Sequence, residues 1–128
     1  VSNGNGRVFA LLGDPVGHSL SPRMHNAAFA AVGLAATYTA IRCGAAELPL
    51  LLRSLARAGG GGNVTIPHKH RAAAELDHPS RTVQSLEVCN TFWGEQERLA
   101  GDNTDVAGVT AAVADCPAAG TKFTVRSA

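Results

Sequence analysis

Aromatic residues are scarce in this chain. Phe, Trp and Tyr make up 5% of 128 residues, with one Trp and one Tyr. Its core must therefore be aliphatic. An excess of either charge is also lacking: eleven Lys and Arg stand against ten Asp and Glu, for a formal net charge of +1. No basic run interleaves with aromatics, so a nucleic-acid surface is not indicated. No segment reaches the roughly 18 to 20 unbroken apolar residues that a bilayer span requires. Val1–Gly6 is polar and glycine-rich. It lacks the basic start and apolar run of a signal peptide and is expected to fray. The cysteines are Cys43, Cys89 and Cys116, an odd number at wide spacings with no CxxC. A disulfide framework is not expected, and a reducing cytoplasmic setting is. No Gly-x-Ser-x-Gly elbow or Cys/His pairing occurs. His68 and His70, two apart and without a nearby cysteine, read as solvent-facing polar residues rather than a zinc site.

What is present is ordinary globular composition, with 45% hydrophobic and 16% charged residues, in a length that fits one domain and encloses a core without staples. Arg7–Leu12 is a short apolar run ending at Gly13-Asp14-Pro15, which predicts a buried strand and a loop. Ser21-Pro22 predicts a helix start with Ser21 as N-cap, running to about Val32 and ended by Gly33. Thr37–Arg42 alternates and is rich in β-formers, hence a second strand. Leu48, Leu51, Leu52 and Leu55 form a helical stripe within Glu47–Ala58. The run Gly59–Gly62 follows a helix, not a strand, and no GK[ST] comes after it. It reads as a flexible helix ending rather than a phosphate loop. Asn63–Ile66 predicts a strand with Val64 and Ile66 facing the core, and Pro67 opens a helix to about Leu76. A helical turn at Val83–Leu86, strands at Val88–Trp93 and Arg98–Ala100 joined by a Glu95–Glu97 turn, and a helix at Thr104–Ala114 capped by Asn103 or Thr104 complete the series. Pro117–Gly120 breaks the pattern, and Phe123–Val125 hints at a further strand. Strands alternating with helices predict an α/β class domain, a three-layer α/β/α arrangement on a mostly parallel sheet. Polar groups at the carboxyl ends of such strands meet in one crevice.

Four polar clusters fall at strand-to-helix junctions. In His18-Ser19-Leu20-Ser21-Pro22, Ser19 and Ser21 present two hydroxyls beside a helix start, which suits a small carboxylate. The plainer reading is that Ser21 caps the helix and Ser19 is loop. In Asn63-Val64-Thr65-Ile66-Pro67-His68-Lys69, Asn63 and Thr65 share one strand face. Lys69 sits in a first helical turn, against the preference of the dipole. Such local inconsistencies are often functional, and a lysine is one of the groups that move protons in catalysis. An exposed lysine without a role fits the residues equally well. Asn90-Thr91 ends an apolar strand, where asparagine offers donor and acceptor or simply forms a turn. Cys89 beside it reads as a buried small side chain rather than a nucleophile. In Gly101-Asp102-Asn103-Thr104-Asp105, Asp105 lies in a first helical turn, and helix capping alone would account for it. Asp102 is the less favoured candidate.

Together the four clusters resemble the shikimate dehydrogenase family. Gly13–Pro22 with His25-Asn26 resembles its opening signature, Asn63–Lys69 its second, Cys89-Asn90-Thr91 its third and Gly101–Asp105 its fourth. They occur in family order over about residues 8 to 113. The resemblance implies that residues 1–115 form the substrate-binding N-terminal domain. Residues 116–128 are then a tail or the start of an NADP-binding domain. It implies serines holding the substrate carboxylate (Ser19, Ser21), substrate contacts from Asn63, Thr65, Asn90 and Asp105, and a catalytic pair, Lys69 and Asp105. That pair handles the proton at the C3 oxygen of shikimate or 3-dehydroshikimate, with NADP as cofactor, in the route to chorismate and aromatic amino acids. It further implies a cytoplasmic monomer or homodimer. Two departures stand out. Glu87-Val88 replaces the family's usual glycine-alanine pair, and the family's glycine-rich nucleotide loop and a later substrate-contacting glutamine have no counterpart here. The 128-residue chain is accordingly expected to be inactive alone. A non-catalytic binding module of the same fold, or a dehydrogenase acting on quinate, are the competing functions.

Overall fold

The computed structural model describes residues 6–114. The fraying expected at the start, the strand expected at Phe123–Val125 and the proposed second-domain start at 116–128 lie essentially outside them. Six strands form one sheet: β1 (Arg7–Gly13), β2 (Ala36–Arg42), β3 (Gly61–Val64), β4 (His78–Pro79), β5 (Thr91–Glu95) and β6 (Arg98–Asp102). Their order is β2-β1-β3-β5-β6-β4. β1 pairs parallel with β2 and β3, and β6 with β4, while β5 runs antiparallel to both of its neighbours. The sheet is thus mostly parallel, as expected.

Among the described residues four helices connect strands, α1 (Ser21–Val32), α2 (Leu48–Arg57), α3 (Lys69–Glu75) and α4 (Arg81–Leu86), and α5 (Thr104–Ala114) follows β6. β1 is apolar on both faces because it is covered on both, the pattern of an interior parallel strand. Ala10 and Leu12 join Val64, Phe92 and Leu99 against Leu48, Leu52 and Ala56 of α2, Ala72 of α3 and Val83 of α4. Phe9 and Leu11 face the other way, toward Tyr38, Val16 and Phe29 of α1. The leucine stripe of α2 behaves as its spacing predicts, with Leu48 and Leu52 fully buried and Leu51 and Leu55 packed beside them.

Several boundaries differ from the sequence reading, each for a local reason. Ser21 is the first helical residue rather than the cap. Leu20 holds the N-cap position without a side-chain bond, and Ser19 Oγ accepts from the Ser21 N–H at 3.1 Å. The glycine run is more than a helix ending. Gly59 closes α2 with φ +82°, but Gly61 and Gly62 are strand residues. A Cβ on Gly61 would sit 2.3 Å from the Phe92 carbonyl oxygen, and one on Gly62 would sit 1.9 Å from that of Ala10. Only residues without a side chain let β3 slot between β1 and β5. β3 stops at Val64 because the chain turns over Thr65–His68, closed by His68 N–H to the Thr65 carbonyl. The alternation therefore fails at Ile66, which is 64% exposed instead of facing the core. The same turn delays α3 from Pro67 to Lys69. The strand expected at Val88–Trp93 begins at Thr91, since the Cys89 N–H is taken by the Lys69 carbonyl. It then runs on to Glu95 and a two-residue turn, Gln96-Glu97, with both residues at positive φ. That turn twists with the strands it joins.

Candidate functional site

The sheet geometry brings the four clusters to one end. Gly13, Val64 and Asp102 are the carboxyl ends of β1, β3 and β6, and Thr91 is the amino end of the antiparallel β5. The loops that follow or precede these residues therefore share one edge, the place where α/β sheets bind ligands.

Ser19, Ser21 and Thr65 line one cleft of about 330 Å³, with His18, Pro15 and Ile66. Because Ser19 Oγ accepts the Ser21 N–H, its proton remains for an outward acceptor. Ile66 also borders a neighbouring depression lined by Pro67, Lys69, His70 and Val88. Lys69 Nζ donates to Asp105 Oδ2 at 2.9 Å across 36 positions of sequence. Both residues stand in the first turn of their helices, α3 and α5. The Lys69 and Asp105 side chains are 30% and 55% exposed. A pair so open to water contributes at most about 1 kcal/mol to stability. One of three ammonium protons is committed, leaving two directed elsewhere.

The asparagines are tied to this pair from behind. Asn90 is buried, and its Oδ1 accepts from the Thr104 N–H at 2.9 Å and from Thr91 Oγ1 at 3.0 Å. Its Nδ2 donates to Thr104 Oγ1 at 3.0 Å. Asn90 thus fixes the residue next to Asp105. Asn103 acts as the cap of α5, with Oδ1 accepting the Asp105 N–H at 3.0 Å and Nδ2 donating to the Val88 carbonyl at 3.2 Å. Asn63 Nδ2 reaches the Asn90 carbonyl and Thr91 Oγ1, both at 3.2 Å, and its Oδ1 accepts from the Tyr38 hydroxyl at 2.8 Å. The sequence reading gave Thr104 only as a possible helix cap and did not single out Tyr38, which stands in a strand remote from the motifs and offers no signal of a bond spanning 25 positions.

Other candidates separate from the site. His68 is not solvent-facing as expected but buried, with Nε2 2.6 Å from the Cys43 carbonyl, whereas His70 is exposed. They do not converge as metal ligands would. Burial pushes the Cys43 and Cys89 thiols up, away from the reactive thiolate. Asp102 Oδ1 accepts from Ser80 Oγ at 2.6 Å and from the Asn103 N–H, which accounts for its role as a buttress of the turn. Glu87 lines a different cleft, between α3 and α4, with His70, Val83 and Gln84. It adopts φ +57°, the left-handed conformation that ends α4. A glycine suits that backbone without strain. Its neighbour Val88 borders the Lys69 depression and holds Asn103.

Residues 11–92 match the family described as the shikimate dehydrogenase substrate binding domain. This chain belongs to that family. It is 44% identical over 105 residues to a shikimate dehydrogenase (NADP(+)) of Symbiobacterium thermophilum, covering 81% of this chain and 36% of that protein. Among solved structures, the shikimate 5-dehydrogenase of Thermus thermophilus in complex with shikimate superposes with a TM-score of 0.78 at 41% identity, covering 84% of this chain and 42% of that one. A Listeria monocytogenes shikimate 5-dehydrogenase in complex with shikimate and NAD gives 0.81 at 33% identity, covering 88% and 39%. The chain spans less than half the length of these relatives. No described helix is long and apolar enough to cross a membrane.

The glycine run is not a dinucleotide loop. Gly59–Gly62 follows a helix, and Gly60, Gly61 and Gly62 are each approached by backbone of a neighbouring strand. There is no room there for a pyrophosphate.

Proposed function

We propose that this chain is the substrate side of an NADP-dependent shikimate dehydrogenase that interconverts 3-dehydroshikimate and shikimate. In this reading Ser19 and Ser21, at the start of α1, donate to the substrate carboxylate. Thr65, Asn63, Asn90 and Asp105 meet the ring hydroxyls. Lys69 and Asp105 form the catalytic pair. Lys69 gives a proton to the developing C3 oxygen when the ketone is reduced and takes it back in the reverse direction. Asp105 orients the amine and accepts from a neighbouring ring hydroxyl. Shikimate dehydrogenase activity, the NADP preference and a place in chorismate biosynthesis belong to the same reading, supported by the names of the relatives. The single observation that carries it is the 2.9 Å contact between Lys69 and Asp105, each presented by a helix start at the ligand-binding edge of the sheet.

The test is titration of the chain with shikimate, followed by amide chemical shifts into the millimolar range. Saturable shifts centred on Ser19, Thr65 and Lys69, weakened at least tenfold by Lys69→Ala and by Asp105→Asn, are expected. Folded chain that shows no shifts with shikimate would overturn the substrate assignment and leave a binding module of the same fold.

A further inference from the structure

Tyr38 is the one tyrosine of the chain and is 3% exposed. It is held on three sides. Asn26 of α1 bonds its backbone in both directions, Nδ2 donating to the Tyr38 carbonyl and Oδ1 accepting its N–H, each at 2.8 Å. The His25 ring stacks on the phenol at 4.3 Å with an 18° interplanar angle. The hydroxyl donates to Asn63 Oδ1 at 2.8 Å. From Asn63 the bonds continue through Thr91 Oγ1 to Asn90 Oδ1 and on to the Thr104 N–H, beside Asp105. Tyr38 therefore touches both the helix that begins at Ser21 and the polar chain that ends at the Lys69–Asp105 pair.

We infer that Tyr38 is a positioning residue of the substrate site, holding the serine-bearing helix and the Asn63–Asn90–Thr104 side in one register. The inference rests on the proposed shikimate reading of that site. Its physical basis is the amide of Asn63. The Asn90 carbonyl can only accept, so it demands the Nδ2 end. The tyrosine hydroxyl secures the opposite end. Burial pushes its pKa up to about 12, so it stays a donor throughout the physiological range. Loss of the hydroxyl leaves the amide anchored at one end only. The sites it braces then spread over more orientations, and preorganisation is what a small polar ligand relies on.

The measurement is shikimate affinity of wild type, Tyr38→Phe, Asn63→Ala and the double variant. Tyr38→Phe keeps the ring, the His25 stack and the Asn26 backbone pair. It is expected to weaken binding about fivefold, the scale of one net hydrogen bond. In the Asn63→Ala background the same change is expected to cost less than twofold, because the bond it removes is already absent. An equal penalty in both backgrounds, or Tyr38→Phe within twofold of wild type, would overturn the inference. If wild type binds no shikimate, the proposed function has failed, and the ligand-free spectrum decides the inference alone. Tyr38→Phe should move the Asn63 side-chain amide pair and the Thr91 and Thr104 N–H signals. Unmoved signals would overturn it.

Discussion

Replacing Gly62 by alanine tests the account of how β3 enters the sheet. Gly62 stands in the middle of β3 at φ +152°, paired with Ala10 of β1 and Phe92 of β5. The added methyl would lie 1.9 Å from the Ala10 carbonyl oxygen and 2.8 Å from the Ala10 carbonyl carbon and nitrogen. Ordinary C···O contact is about 3.3 Å, so the strands must part by well over an ångström. All the colliding atoms are backbone, and no side chain can swing away. Backbone strain of about 1–3 kcal/mol and an overpacking penalty of about 1–3 kcal/mol together give a loss near 4 kcal/mol. With a urea slope of about 1.5–2 kcal/mol/M, inside the usual 1–3 kcal/mol/M range, the midpoint should fall by roughly 2–3 M. Urea unfolding followed by far-ultraviolet circular dichroism reads this directly. Gly17→Ala is the control, since nothing lies within 4 Å of a Cβ there, and it should stay within about 0.5 M of wild type. A Gly62→Ala midpoint equally close to wild type would refute the packing argument.

Three further predictions follow from particular contacts. Glu87→Gly should stabilise the chain by roughly 0.5–1 kcal/mol in the same urea assay, since relief of a left-handed residue outweighs the entropy glycine adds to the unfolded state. Asn103→Ala removes the cap on the Asp105 N–H and the bond to Val88. It should cost about 1–2 kcal/mol and, through Asp105, also weaken shikimate binding in titration. The side-chain bond from Arg53 and then the Leu99 N–H hold the Asp77 carboxyl down at about 2, against an ordinary 3.8. A depressed folded-state pKa means this contribution is complete above about pH 4 and disappears as pH falls toward 2. Unfolding midpoints at pH 5, 3 and 2 should fall less steeply in Asp77→Asn than in wild type.

Much of the layer architecture was legible because it depends on local chemistry and period. The apolar run Arg7–Leu12, the stripe at Leu48, Leu51, Leu52 and Leu55, and the stop at Gly33 each report a single element, and each element forms where it was read. Boundaries failed where a distant partner decided them. β3 starts at Gly61 because the Ala10 and Phe92 backbones come close, and β5 starts at Thr91 because the Lys69 carbonyl takes the Cys89 N–H. Neither partner is adjacent in sequence. Ile66 looked like a core residue on alternation alone, but alternation holds only while the strand does.

The site divides in the same way. The sequence by itself determined which residues are available: paired serines before a helix, a lysine and an aspartate each in a first helical turn, asparagines at strand ends. Their order also carried the family resemblance. For Ser21 and Asp105 it favoured plain capping. Tertiary structure decided those questions. Leu20, not Ser21, takes the cap of α1, and Asn103 takes that of α5, so neither Ser21 nor Asp105 is spent on capping. Tertiary structure also brought Lys69 within 2.9 Å of Asp105 and placed Tyr38 behind Asn63. The physical reason is that a hydrogen bond depends on separation in space. Only the stacking of β1, β3, β5 and β6 sets that separation for residues 25 to 36 positions apart in the chain.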